Sequence, residues 1–185
     1  MNTSVTRYHS AAIILHWVMA VAFILMLGSG LTLEYAKLEQ QFKFQLFQWH
    51  KSLGVLLLVA VALRIAVRLW QKPPALPALF KRWEVIAAHL GHFGLYALML
   101  LMPLSGWMMV SSSPYGLPTI VFNLFEWPHI PGLAANEAVN ASAKTIHWLG
   151  AWAFLALLAA HVGAVIKHYL FERENLLRRM WWGKS

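Results

Sequence analysis

The chain has 185 residues, of which 59% are hydrophobic and only 12% charged, and its mean hydropathy is +0.56. A soluble domain carries about 25% charged residues, so this composition describes an integral membrane protein, read here as a single domain over residues 1–185. The formal charge of +8 comes with no separate soluble basic domain, which argues against nucleic acid as a partner. The absence of cysteine excludes disulfides, iron–sulfur clusters and any cofactor held through a thiolate.

Arg7 precedes an apolar run too long for a removable leader and without a small-residue cleavage site, so the first span reads as part of the fold. That span covers about 10–33 and holds His16 as its one ionisable residue. Gly28 and Gly30 near its far end leave room for a neighbouring helix or a bulky ligand. Glu34 to Gln48 alternates Lys37, Glu39 and Lys43 with Phe42, Phe44 and Phe47, and is expected to lie along the interface as a short amphipathic connection. The second span covers about 50–70. Arg64 and Arg68 sit one turn apart near its exit, placed to snorkel towards headgroups or to meet an anionic cofactor group. Lys72-Pro73-Pro74 and Pro77 then stop the helix.

The third span, about 85–110, follows Lys81 and Arg82. It carries His89 and His92 on one face, and Pro103 should loosen it locally. Ser111 to Ala143 reads as the longest loop, with Leu117 to Phe125 as a half-buried cap. The fourth span, about 145–169, carries His147, His161 and His168. Gaps of 14 and 7 residues keep all three on one stripe, because seven residues drift by only about 20° on a helix. A basic tail with Arg178, Arg179, Trp181, Trp182 and Lys184 suits an interface facing anionic lipid.

The expected fold is thus all-α, a transmembrane four-helix bundle with both termini on one side. Eleven of the fifteen Lys and Arg residues fall on that side, against Lys37, Lys43, Lys51 and Lys144 on the other. The positive-inside rule then places both termini in the cytoplasm.

This topology sorts the histidines by depth. His50 and His147 both open their spans from the outer side and form an outer pair. His16, His92 and His161 fall in the inner half. His161 shares the stripe with His147, and geometry leaves open whether His16, His92 or His89 completes the inner set. His168 lies near the inner surface and reads as a proton-handling or ligand-binding group. His129, in a loop between prolines, is a weak candidate.

One buried histidine alone would read as a hydrogen-bonding group. A set at two depths reads as functional, because intramembrane ionisable residues are costly. Zinc gathers three or four ligands in one place. Pairs at two depths instead suit iron in a planar macrocycle with one imidazole on each side. The 14-residue gap places two such haems about 20 Å apart along the helix axis. Their propionates would want cations, with Arg64 and Arg68 inside and Lys51 or Lys144 outside.

His16-Trp17, Trp49-His50-Lys51-Ser52-Leu53-Gly54, and His147 with His161 together resemble the prokaryotic cytochrome b561 family, itself similar to the cytochrome b subunits of nickel–iron hydrogenases and formate dehydrogenases. The resemblance covers nearly the whole chain. It implies a bacterial inner-membrane protein with two haem b groups, the outer held by His50 and His147 and the inner by His16 and His161. It also implies exchange of electrons between a periplasmic small-molecule or protein partner and ubiquinone. In small stand-alone members the donor is superoxide, and His168 matches the position associated with the quinone. An alternative is a cytochrome b anchor and electron conduit for a larger dehydrogenase or hydrogenase, with the 111–143 loop as its docking surface.

Overall fold

The computed structural model describes residues 7–77 and 80–182, so the part of the tail expectation that rests on Lys184 lies outside the described residues. Four helices, α1 (Ser10–Tyr35), α2 (Gln40–Trp70), α3 (Arg82–Ser111) and α4 (Glu137–Phe171), account for most of the chain. Apolar side chains cover each helix all round, as a helix needs when one side meets lipid and the other a core. Their lengths of 26, 31, 30 and 35 residues exceed the roughly 20 that cross a bilayer. All four are long and apolar enough to span a membrane. The Tyr8 amide donates to the Arg179 carbonyl at 3.1 Å, so the described chain starts and finishes at the same end of the bundle.

Two boundaries differ from the sequence reading. Residues Gln40 to Gln48 are not a separate interfacial connection but the first turns of α2. No proline or glycine interrupts that stretch, and extending an existing helix avoids the cost of a new nucleus. Likewise α4 begins at Glu137, not near Thr145. Asn136 caps it by accepting from the Val139 amide, and Asn140, buried, donates to the Met109 carbonyl and fastens the extension to the end of α3. The basic tail also closes on the bundle. Its 3-10 turn Leu176–Met180 folds back, with Arg179 donating to the Pro74 and Ala75 carbonyls and the Trp17 indole donating to the Met180 carbonyl.

Residues 111–136 contain an antiparallel hairpin, β1 (Thr119–Val121) and β2 (Phe125–Trp127), in register Ile120 to Glu126. It turns on Phe122 and Asn123, both at positive φ. The hairpin caps the end of the bundle opposite the termini. Lys51 Nζ donates to the Pro118 carbonyl at 2.7 Å, and Ser52 Oγ, 3.1 Å from the Ile120 carbonyl, accepts from the Phe122 amide. Two residues of the Trp49-His50-Lys51-Ser52 motif thus hold the cap down. Lys51, expected to be available to a propionate, is buried under it.

Neighbouring helices pack in chain order, α1 on α2, α2 on α3 and α3 on α4. At mid-depth a buried cluster of Met19, Phe23, Leu57, Val61 and Phe154 fills the interior, with Phe23 and Phe154 stacked at 4.9 Å. Phe154 lies seven residues from both His147 and His161, and Phe23 seven from His16. Seven residues are close to two turns. An apolar layer therefore separates two layers of histidine.

Candidate metal-binding sites

At the hairpin end, the His50 ring on α2 faces the His147 ring on α4 with centroids 6.4 Å apart. At the terminal end, His16 on α1 faces His161 on α4 at 6.3 Å. An imidazole nitrogen binds a metal at about 2.0–2.1 Å, and each centroid lies roughly 1 Å further back. Two rings sharing one ion from opposite sides therefore stand about 6–6.5 Å apart. Both pairs have that spacing.

The surroundings of the first pair fix which ring nitrogen is free. Ser29 Oγ lies 2.8 Å from His50 Nδ1 and donates to the Met26 carbonyl; Ser105 Oγ lies 2.9 Å from His147 Nδ1 and donates to the Met102 carbonyl. A hydroxyl has one proton, and each is committed to a carbonyl. With the hydroxyl proton on the carbonyl, each Nδ1 is placed to donate, which leaves the lone pair on Nε2, the form that binds metals. Glycines flank both rings: a Cβ at Gly30 would stand 3.4 Å from His50 Cε1, and one at Gly106 3.4 Å from His147 Cε1.

The second pair lines a cleft of about 960 Å³, open mouth included, together with Arg64, Arg68 and His92. Arg64 Nη2 donates to His16 Nδ1 at 3.2 Å, while its Nε and Nη1 are buried without partners among the described residues. Unpaired buried donors are costly, and a carboxylate would satisfy them. The cleft therefore fits a group carrying acid side arms. Arg64 and Arg68 both lie over the Tyr96 ring, at 5.6 and 5.3 Å. The His92 ring stands 5.6 Å from that of His161, so three imidazoles converge here. His89 is exposed and bonds its own helix at the Val85 carbonyl.

His168 belongs to neither pair. It is buried, stacked on Phe80 at 4.3 Å, with Nδ1 2.5 Å from Glu172. Lys167 joins Glu172 to Glu84, at 2.8 and 2.5 Å. The Lys167 ammonium, then His168, holds the Glu172 carboxyl below the usual carboxylate range. Glu84 went unnoticed in the sequence because it sits at the start of α3, where an acid reads only as a helix-end residue; it also accepts from the Lys81 amide.

The two serines were also missed, although a signal exists. His16, Met26, Ser29 and Gly30 on α1 recur as His92, Met102, Ser105 and Gly106 on α3 with identical spacing. On α2 and α4, His50 and His147 are followed fourteen residues later by Arg64 and His161. The bundle is thus two similar helical hairpins. They agree at the first pair and differ at the second, where Arg64 answers His161.

Four membrane-spanning helices that bring imidazoles together in pairs from different helices, beside unpaired buried arginine donors, define a membrane bundle of the haem-carrying class. The family model of prokaryotic cytochrome b561 matches residues 7–183, and the chain belongs to that family. It is therefore a membrane electron-transfer protein of a haem b-binding family, and a multi-pass protein of the bacterial inner membrane. The chain is 28% identical over 180 residues to cytochrome b561 homolog 2 of Escherichia coli (strain K12), covering 97% of this chain and 93% of the relative. It is 26% identical over 175 residues to cytochrome b561 homolog 1 of the same strain, covering 94% and 96%. A probable superoxide oxidase CybB of Yersinia pestis is 28% identical over 178 residues, with 94% and 96% covered.

Proposed function

We propose that the protein is a di-haem b oxidoreductase that takes electrons from a one-electron donor in the periplasm and delivers them to ubiquinone, with both termini in the cytoplasm. The observation that carries this reading is the two imidazole pairs at two depths, each at the spacing of one shared ion. His50 and His147 would hold one haem, His16 and His161 the other, and Arg64 and Arg68 would receive propionates. When bound, haem supplies a one-electron couple at its iron. The chain's own residues do the rest. The Phe23–Phe154 layer keeps water out between the sites. Arg64, once drawn to a carboxylate, releases His16 Nδ1.

The hairpin end carries exposed Lys37, Lys43 and Lys144, which attract a small anion. Superoxide has that charge, and the name of the Yersinia pestis relative supports it as donor. Each superoxide would give up one electron and leave as oxygen. Two electrons and two protons convert ubiquinone to ubiquinol. At the terminal end, His168 would give a proton to the quinone and be resupplied through the partly exposed Glu172.

Purified protein in liposomes is expected to reduce ubiquinone when superoxide is generated outside. No reduction, together with a periplasmic subunit that co-purifies, would replace this reading with that of a conduit for a larger dehydrogenase. His168→Ala is expected to slow quinone reduction by about 10²–10⁴-fold, the usual worth of a positioned acid or base, while the haem spectrum stays intact. A spectrum that lost one haem would make His168 a ligand instead.

A further inference from the structure

The repeated segments on α1 and α3 do the same thing twice. Met26 and Met102 each supply the carbonyl that takes the serine proton three residues later. Ser29 Oγ and Ser105 Oγ then stand 2.8 and 2.9 Å from Nδ1 of His50 and His147, placed to accept from them. Gly30 and Gly106 leave the ring edge unobstructed. The resemblance extends to the next layer: a Cβ at Gly54, four residues after His50, would lie 3.6 Å from Met26 Cε, and one at Gly150, three after His147, 2.8 Å from Met102 Sδ. Each helical hairpin therefore contributes one imidazole and the serine that holds it.

The pair at the terminal end has no such arrangement. There the partner of His16 Nδ1 is Arg64, which can only donate. A hydrogen bond accepted from Nδ1–H pushes electron density onto the ring and raises its basicity towards a metal. At His16, where the described partner of Nδ1 is itself a donor, that push is missing. Ligand basicity, hydrogen bonding and nearby charge are the levers that set a haem potential.

We propose that Ser29 and Ser105 are positioning residues that lock His50 and His147 in the Nδ1-protonated form and lower the potential of the haem between them below that of the haem at the Arg64 end. Electron flow from the hairpin end to the terminal end is then downhill, so the serines give the chain its direction. This rests on the two-haem reading above.

The test is a potentiometric titration, followed by optical and low-spin ferric EPR spectra, on wild type, S29A, S105A, the double Ala variant and the corresponding Thr variants. Wild type should show two transitions. The lower one should vanish in His50→Ala, which assigns it to the hairpin end. The Ala variants should move that transition upwards and alter its EPR signal, more in the double variant, and leave the other transition in place. Thr, which keeps the hydroxyl, should restore both. Loss of haem confined to the hairpin end in the Ala variants, again restored by Thr, also supports the proposal. Ala variants with both transitions and both signals unchanged would overturn it, as would a lower transition that survives His50→Ala. Loss of both haems together, unrescued by Thr, would reduce the serines to general packing and overturn it too. A wild type without haem between His50 and His147 would instead show as a missing second transition before any serine is touched, and would contradict the function proposed above.

Discussion

Replacing His147 with alanine is expected to leave a folded protein with half its haem. The methyl group offers no nitrogen, and His50 alone cannot close a six-coordinate iron. The other pair, His16 and His161, lies beyond the Phe23–Phe154 layer and keeps its ligands. His50→Ala should give the same product, and His16→Ala and His161→Ala the complementary one. In all four, the superoxide-driven quinone reduction proposed above should be abolished. Haem extraction against protein mass reads the outcome. The site at the terminal end is where this expectation is most exposed. His92 stands 5.6 Å from His161, and a His16→Ala protein that kept all its haem would show that His92 is the ligand or can take over.

The second large effect concerns glycine. Gly30→Val and Gly106→Val should each expel the haem between His50 and His147. A Cβ alone would already touch Cε1 of the adjoining imidazole at 3.4 Å, and the two further methyl groups of valine have to enter the space beside the ring. Gly28→Val is the control, since a Cβ there meets nothing within 4 Å among the described residues. It sits on the same helix, two residues away, and bears the same β-branched cost to the helix. Valine at 28 that removes haem as readily as valine at 30 would contradict the geometry around His50.

The spans and the depth of their histidines could be read in the sequence because lipid imposes a strict code: long uncharged runs, few ionisable groups, cations gathered towards one side. Pairing His50 with His147 needed only that code, since no other span histidine shares their level. The inner pairing did not follow from depth. His16, His92 and His161 occupy one layer, and rise along a helix says nothing of which ring faces which. The polar first turns of α2 and α4 were read as connections because hydropathy marks where lipid ends and not where a helix ends. The hairpin strands Thr119–Val121 and Phe125–Trp127 are three residues each, too short for alternation to show.

Ser29 and Ser105 are inconspicuous in the sequence for a different reason. A serine in a membrane helix usually bonds back to its own backbone, and these two do so. Their second bond, to a ring on another helix, appears only once the helices are packed. The recurrence of His, Met, Ser and Gly at equal spacing on α1 and α3 was nevertheless present in the sequence, and comparing the chain with itself would have found it.

The haem-to-protein ratio of the unaltered protein, taken with its ferric EPR spectrum, tests the central claim most directly. Two haems per chain, both low-spin with two imidazole ligands, is the predicted result. One haem per chain, or a high-spin iron with a single imidazole, would contradict it.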